Sequence, residues 1–324
     1  MSSGAFQPSG SPPSTAHPLG WPQALWQANI TNTGVSQSRL PDGAVQAWYP
    51  HGVRWPWVVP VLLVSAACVT PSSNFAQRVA ALGLVEWRVY GEPFDHLVLK
   101  SPGPAGRRLH VYLEGDGTPW LAGVPTRDPT PRTPLALALM AQDPAASVYL
   151  GRPCYHGVGG PLPCVDSLWT SERYSEAIVA SMAAAARRIV AAEGVGELVW
   201  FGYSGGGSLA VLLAARVPES VAVVTVAANL DIDAWADLHR DRRLVGSLNP
   251  ARQPPLPDRL VQIHYAGGRD RLVPTDIVRG GLNGTARLVV EPEFDHVCCW
   301  VENWPRILGE VEAATREGRR DPSR

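Results

Sequence analysis

The chain has 324 residues, of which 45% are hydrophobic and 18% are charged, and its formal net charge is -1 at pH 7. This balance is that of an ordinary globular protein, and it argues against nucleic acid as a partner. A phosphate-binding loop is also disfavoured, because such loops place a lysine beside their glycines and Lys100 is the only lysine in the chain.

The amino-terminal part of the chain divides into two segments of different composition. Residues 1–52 are rich in Ser, Pro, Gly and Gln and show no apolar periodicity, which predicts disorder. In residues 53–67, Arg54 precedes the apolar run 58–64, and small residues follow up to Cys68. That order is typical of a secretory signal peptide, and the run is too short to span a bilayer, which takes about 20 apolar residues.

The small residues directly before Cys68 resemble a bacterial lipoprotein signal, in which the cysteine is lipidated and becomes the mature amino terminus. Ser65 departs from that pattern, which usually has Leu there, and a buried apolar segment of the fold is the alternative for residues 53–67. A signal peptide stands at the start of a protein, so Val53 is expected to be the true initiator and residues 1–52 to be upstream sequence. The resemblance implies a periplasm-facing place in the bacterial cell envelope, with the lipid on Cys68 as the membrane contact.

The chain after the signal is long enough for one α/β domain. We expect an amino-terminal segment at 68–95, the domain at 96–315 and a polar tail at 316–324. Apolar periodicity predicts helices at 75–84, 135–141, 171–192 and 208–215, and strands at 87–90, 96–100, 109–113, 147–150, 198–201, 221–227, 260–266 and 288–290. The first strands favour an antiparallel edge, and the later alternation of strand and helix favours a mostly parallel central sheet flanked by helices.

The cysteines after Cys68 form two pairs in the sequence. In an oxidising envelope compartment, Cys154 and Cys164 could close a short loop, because the Gly-Val-Gly-Gly-Pro stretch between them favours a hairpin-like turn. Free buried thiols are the alternative. Cys298 and Cys299 are expected to be packing residues, since a disulfide between neighbours strains the backbone. No Cys-x-x-Cys or His-x-x-x-His spacing occurs, so we expect no metal.

The stretch Gly202–Gly207, with the sequence Gly-Tyr-Ser-Gly-Gly-Gly, joins the strand at 198–201 to the helix at 208–215. A serine on a sharp turn from strand to helix projects its hydroxyl from the top of a sheet. Glycines on both sides let the two backbone segments approach closely, and the new helix points its positive end at the serine oxygen. Ser204 is therefore a candidate nucleophile, and a tight connection without chemistry is the alternative.

Two later strands end in loops that carry an acid and a histidine. The strand at 260–266 leads into Gly-Gly-Arg-Asp-Arg-Leu-Val-Pro with Asp270, and the strand at 288–290 leads into Glu-Pro-Glu-Phe-Asp-His with His296. A serine hydroxyl needs a base to take its proton, and a neutral histidine works best when an acid fixes its tautomer. The order serine, acid, histidine therefore predicts a complete catalytic set.

These three motifs, in this order, resemble those of the α/β-hydrolase superfamily over about residues 96–315. The resemblance implies the α/β-hydrolase fold with a small cap or none. It also implies Ser204 as the nucleophile, Asp270 as the orienting acid and His296 as the base. Alternatives stay open: Asp270 could only cap a turn, His296 could be structural, and the acid could be Asp231, Asp233 or Asp295.

The same resemblance places an oxyanion hole between the turn at Ser204 and the loop after the strand at 109–113. Gly205 is expected to give the first backbone N–H. The loop reads Glu-Gly-Asp-Gly where many members have His-Gly, and in it Asp116 is the best positional match for the second N–H, with Gly117 next. A plain turn is the alternative for this loop.

The expected reaction is acyl transfer to water, with no cofactor, on a small-molecule or lipid-like acyl substrate that carries an ester, thioester or peptide bond. An apolar acyl or aryl group is suggested by aromatic residues in loops near the expected site, namely Trp120, Trp169, Trp235 and Tyr155. Two other functions stay open. One is a non-catalytic envelope lipoprotein that binds a ligand or partner on a hydrolase scaffold, and the other is an acyltransferase.

Overall fold

The computed structural model describes residues 69–103, 106–158 and 164–320. Residues 1–67, with the predicted disorder and signal peptide, lie outside the described residues, as does Cys68, so those expectations stay predictions. Within the described part of the chain, no helix is long and apolar enough to cross a lipid bilayer.

Eight strands of the described chain form a central sheet, and two short strands form a separate hairpin. The strands are β1 Val85–Tyr90, β2 Asp95–Lys100, β3 Arg108–Leu113, β4 Trp120–Leu121, β5 Val124–Pro125, β6 Ser147–Leu150, β7 Glu197–Tyr203, β8 Ser220–Val226, β9 Val261–Gly267 and β10 Arg287–Glu291. All eight strands predicted from the sequence are present, and all eight belong to the central sheet.

The central sheet has the strand order β1-β2-β6-β3-β7-β8-β9-β10. β2 lies antiparallel to both β1 and β6, and all other neighbours are parallel. The predicted antiparallel start and mostly parallel remainder are therefore confirmed. All six strands from β6 to β10 in this order point the same way, so they end at one edge of the sheet, which we call the carboxyl edge.

Seven helices connect the strands within the described residues. They are α1 Pro71–Ala81, α2 Leu135–Met140, α3 Glu176–Glu193, α4 Gly205–Ala214, α5 Ile232–His239, α6 Thr275–Gly280 and α7 Trp300–Arg320. The sequence favoured a start of α3 at Ser171, but the helix begins at Glu176 with Ser175 as its N-cap, whose side chain accepts a hydrogen bond from the Ile178 amide. The preceding residues instead form a short 3-10 helix and a turn, from which Arg173 pairs with Asp116 in the loop after β3.

Helices cover both faces of the central sheet. On one face α3 and α4 pack against side chains that include Val111 of β3 and Trp200 of β7. On the other face α1, α2 and α7 pack against Tyr112 and Phe201, the next residues along the same two strands. Coverage on both faces explains why the central strands are apolar along their whole length, and the two layers of core leave the carboxyl edge free for polar groups.

Candidate active site

Ser204 lies at the carboxyl edge, in the turn between β7 and α4. Its backbone angles are φ 51 and ψ -123, a region that non-glycine residues rarely occupy and that costs on the order of 1–3 kcal/mol. The amide of Ser204 donates to the carbonyl of Val226 on β8 at 2.9 Å, and its carbonyl accepts from the Gly207 amide at 2.9 Å. Neighbouring backbone therefore holds the strained turn in place.

The glycines after Ser204 are required by the close approach of other backbone. A methyl group on Gly206 would lie well inside contact distance of the Leu113 carbonyl at the end of β3. Helix α4 starts at Gly205, and the first N–H groups of a helix have no partner within the helix. The Gly205 amide is thus free to donate to a negatively charged oxygen beside Ser204, in a position that the helix dipole favours.

His296 contacts both the candidate nucleophile and the candidate acid. Its Nε2 lies 3.1 Å from Ser204 Oγ, and its Nδ1 lies 2.8 Å from Asp270 Oδ2. A neutral imidazole with its proton on Nδ1 donates to the carboxylate and leaves Nε2 to accept the hydroxyl proton. The three side chains, brought together from the ends of β7, β9 and β10, are therefore hydrogen bonded in series.

Asp270 both caps a turn and is hydrogen bonded to the histidine. Its Oδ1 accepts from the Leu272 and Val273 amides, each at 2.8 Å, while Oδ2 faces His296. Its side chain is fully buried, whereas 14% of the His296 side chain is exposed. The acid is thus fixed beneath the histidine, and the histidine remains open to solvent.

The other carboxylates that the sequence left open have different partners. Asp231 caps α5 by accepting from the Asp233 and Ala234 amides. Asp233 pairs with Arg252 at 2.7 Å. Asp295 accepts from the two amides that follow His296 in the chain. Among these candidates, only Asp270 contacts the imidazole.

The turn after His296 differs from the sequence expectation. The interpretation of Cys298 and Cys299 as separate packing residues is wrong, because the structure joins their sulfur atoms in a disulfide. Asp295 holds the Cys298 amide at 2.6 Å, and Cys299 has φ 81. This left-handed backbone differs from the ordinary backbone geometry on which the expectation rested, and the two neighbouring side chains are bonded in it. The predicted pair Cys154 and Cys164 is also bonded in the structure.

The loop after β3 supplies the other wall of the candidate oxyanion hole, and its acid is buried in a cluster of charges. Asp116 accepts from the Tyr174 hydroxyl at 2.6 Å and pairs with Arg152 at 2.8 Å and Arg173 at 2.9 Å. The Tyr155 hydroxyl donates to the Asp116 carbonyl at 3.0 Å. We call these five residues the Asp116 cluster. It fixes both the side chain and the backbone of the residue whose amide is the expected second oxyanion donor.

The Asp116 cluster carries more positive than negative charge. Burial opposes the ionisation of Asp116, but Arg173 and Arg152 outweigh burial and hold the pKa of its carboxyl below the ordinary value. Two arginines and one carboxylate leave one surplus positive charge close to Gly205, because a methyl group on that glycine would overlap the Asp116 carboxylate. The electrostatic environment beside Ser204 therefore favours a developing negative charge.

Sequence reasoning did not find Arg152, Arg173 or Tyr174. Arg152 follows β6 almost directly, so the strand order would have placed it beside the end of β3. Arg173 and Tyr174 were predicted to lie in a helix from residue 171, and that prediction gave no sign that their side chains contact the loop after β3.

The second amide candidate, Gly117, is exposed with φ 67, and a side chain there would meet the Pro129 carbonyl.

Glu114, directly after β3, lies buried beneath the same loop. Its carboxylate accepts from the amides of Gly115 at 3.1 Å, Ala136 at 3.2 Å and Leu137 at 3.4 Å. Burial raises the pKa of Glu114 to about 7, and these hydrogen bonds offset only part of the rise. Glu114 therefore ties the loop after β3 to the start of α2 and titrates close to neutral pH.

An open depression of about 830 Å³ lies next to His296. It is lined by residues 268–272 of the acid loop and 295–297 of the histidine loop. Tyr155 and Trp169, which the sequence suggested near the substrate, are buried, and the Tyr155 hydroxyl belongs to the Asp116 cluster. Among the described residues, no group of His, Cys, Asp or Glu side chains is arranged to hold a metal ion.

Comparison with two solved structures of one esterase supports the same architecture. The esterase Pf2001 of Pyrococcus furiosus matches with a TM-score of 0.51 at 12% identity, over 71% of this chain and 90% of the esterase. A second crystal form of that esterase gives a TM-score of 0.51 at 13% identity, over 73% and 95% of the two chains. The Xanthomonas campestris protein XC6422, an α/β serine hydrolase without lid, gives a TM-score of 0.45 at 14% identity over 73% and 94%. No protein-family model and no curated protein matches the sequence.

The chain has the α/β-hydrolase fold. The predicted fold class is confirmed, including its small cap, because the segment between β8 and β9 adds only α5 and a short 3-10 helix. In this α/β-hydrolase fold, Ser204 follows β7, Asp270 follows β9 and His296 follows β10. That is the chain order of nucleophile, acid and base typical of the fold.

Proposed function

We propose that this protein is a serine hydrolase that cleaves an ester or thioester through Ser204, His296 and Asp270. The single observation that carries the proposal is the unbroken series of hydrogen bonds from Ser204 Oγ through His296 to Asp270 Oδ2, at 3.1 and 2.8 Å. The strained backbone of Ser204 supports it, because such strain is retained where function requires it.

The proposed reaction passes through an acyl-enzyme. Ser204 Oγ attacks the acyl carbonyl while its proton moves to His296 Nε2, and Asp270 stabilises the imidazolium. The carbonyl oxygen becomes an oxyanion, which accepts from the amides of Gly205 and Asp116. His296 then returns the proton to the leaving alcohol or thiol. A water molecule, activated by the same histidine, hydrolyses the acyl-enzyme and releases the acid.

Two aspartates of the neighbouring loops make a matched test of this proposal. Asp270→Asn is expected to lower kcat towards a soluble short-chain ester by on the order of 10⁴-fold, since the amide favours the wrong imidazole tautomer. Asp295→Asn is expected to keep most of the activity, because an amide oxygen can still accept from the Val297 and Cys298 amides. Equal losses in the two variants would reject the assigned acid, and no turnover of any ester or thioester by the wild type would reject the hydrolase.

The place of the enzyme in the cell is a second proposal. We infer from the sequence before Val69 a lipoprotein of the bacterial envelope that faces the periplasm and is anchored through Cys68. The disulfide between Cys154 and Cys164 supports it, since stable disulfides are typical of oxidising compartments. Mass analysis of the protein from its native host would show a diacylglyceryl-modified amino-terminal Cys68, and a mature species that retains Trp21 would contradict both the anchor and the start at Val53.

A further inference from the structure

The exposed apolar side chains of this protein collect at one edge. Outside the edge strands β1 and β10, all the large apolar side chains that are exposed among the described residues belong to segments at the carboxyl edge. They are Val69, Trp120, Leu121, Val124, Val165, Leu238, Val245, Leu272 and Val297. Single exposed apolar residues are ordinary, but their collection on the side that holds Ser204 marks an interaction surface.

The hairpin of β4 and β5 is the most apolar part of this surface. Its tight turn, Ala122–Gly123, has positive φ at both positions, which suits a two-residue hairpin loop. Trp120, Leu121 and Val124 flank the turn and are exposed by 42%, 55% and 61%. The Thr118 amide donates to the Pro129 carbonyl at 3.0 Å and closes the base of the loop. The hairpin thus projects from the loop that carries Asp116.

The amino-terminal end of the described chain lies beside the same loop. The amide of Ser72 donates to Asp128 Oδ2 at 2.8 Å and its hydroxyl donates to Oδ1 at 2.9 Å. Val69, three residues earlier, is therefore held near the base of the hairpin. Cys68 and the apolar run 58–64 directly precede it in the sequence. Whether the signal is processed or retained, an apolar group is joined to the chain at this point.

Positive charge accompanies the apolar side chains. Five exposed arginines in the carboxyl-edge segments make no ion pair with a carboxylate of the described residues, namely Arg127, Arg132, Arg240, Arg242 and Arg271. Three exposed acids of the loops in these segments, Asp166, Asp241 and Asp295, make no ion pair with an arginine of the described residues either, so the five arginines outnumber them by two. Apolar and cationic side chains together fit the surface of an anionic bilayer.

We propose that the carboxyl edge docks on an anionic phospholipid bilayer through the β4–β5 hairpin. The described chain begins at Val69, near the base of the hairpin, and a lipid on Cys68 would be joined to the chain directly before it. Docking places Ser204 and the depression beside His296 against the lipid. If the proposed hydrolase activity holds, the substrate is an ester of a membrane lipid.

The test compares two pairs of apolar side chains in the full chain with Cys68→Ser, which removes lipidation. Trp120→Asp with Val124→Asp changes the hairpin, and Val85→Asp with Val290→Asp changes exposed positions on the edge strands. Flotation with phosphatidylglycerol-containing vesicles measures partitioning. The hairpin pair is expected to lower it by at least about tenfold, since two apolar groups leave the interface and two negative charges enter it. The edge-strand pair is expected to stay within about twofold.

Several outcomes decide the proposal. The docking proposal is supported if vesicle binding weakens as the salt concentration is raised, since docking depends on electrostatic attraction to the anionic lipid. It is also supported if Ser204→Ala binds vesicles as well as the parent chain, since docking does not require catalysis. Equal partitioning of the two variant pairs, or no binding of the parent chain, overturns it. A dimer in light scattering that only the hairpin pair dissociates would assign this surface to a second copy instead. Hydrolysis of a soluble ester is read separately, so vesicle binding without hydrolysis would remove the proposed function and leave the docking surface.

Discussion

Gly205 has no side chain, and the space that a methyl group would need is occupied by the Asp116 carboxylate and the Tyr174 hydroxyl. This residue therefore serves two purposes at once. Its amide starts α4 beside Ser204. Because it has no side chain, Asp116 and Tyr174 can pack directly against its backbone at the candidate oxyanion hole. The identity of a single residue thus couples the turn at the nucleophile to the loop after β3.

The coupling at Gly205 gives a prediction. Gly205→Ala is expected to displace the Asp116 cluster and to lower kcat by about 10²-fold with little change in KM, the effect of losing one oxyanion donor. Gly196→Ala is the matched control, because nothing lies near a methyl group at that position. Steady-state kinetics on a soluble ester would measure both. A Gly205→Ala variant as active as the control would show that the cluster does not position the loop after β3 for catalysis.

Helix α3 does not begin at the serine that the sequence predicted. The sequence predicted a start at Ser171, which Glu172 follows, but in the structure Ser175 is the N-cap. Ser175→Ala is expected to lower the free energy of unfolding by about 1 kcal/mol, the ordinary effect of losing an N-cap. Ser171→Ala is expected to change it by less than about 0.5 kcal/mol. Denaturant unfolding of the two variants would measure this, and a larger loss at Ser171 would contradict the observed helix boundary.

Local sequence patterns predicted the strands and the turn at Ser204 because those features depend on neighbours in the chain. Alternating and continuous apolar runs predicted all eight strands of the central sheet, and the order of motifs singled out Ser204, Asp270 and His296. The start of α3 could not be predicted, because Arg173 reaches Asp116, 57 positions earlier in the chain. A contact between residues so distant in sequence produces no pattern among neighbouring residues from which it could be predicted. The positive φ of Cys299 likewise has no signal in the local sequence.

For the whole molecule, a buried carboxyl group ties stability to pH. Burial raises the pKa of Glu114 from 4.5 to about 7, so the folded protein holds this proton where the unfolded chain releases it. The contribution of this proton to the free energy of unfolding is fully present below about pH 4.5 and is lost as the pH rises to about 7. The loss is roughly 3 kcal/mol at most. Glu114→Gln, which mimics the protonated group, is expected to remove this loss.

Urea unfolding at pH 5 and pH 8 would check the effect of Glu114. The wild type is expected to lose stability relative to Glu114→Gln between the two conditions. Other buried groups that titrate, such as His96 and His264 whose pKa burial lowers to about 4, are present in both proteins and cancel in the comparison. A wild type and variant with the same change in free energy of unfolding would contradict the raised pKa.

The proposed mechanism depends on the activation of Ser204 by His296. Labelling of the full chain with a fluorophosphonate probe, read by intact mass, tests it most directly, because such probes form a covalent adduct with an activated serine. We expect a single adduct on the wild type that is lost in both Ser204→Ala and His296→Ala. A folded wild type that takes no adduct, or a Ser204→Ala variant that still takes one, would contradict it.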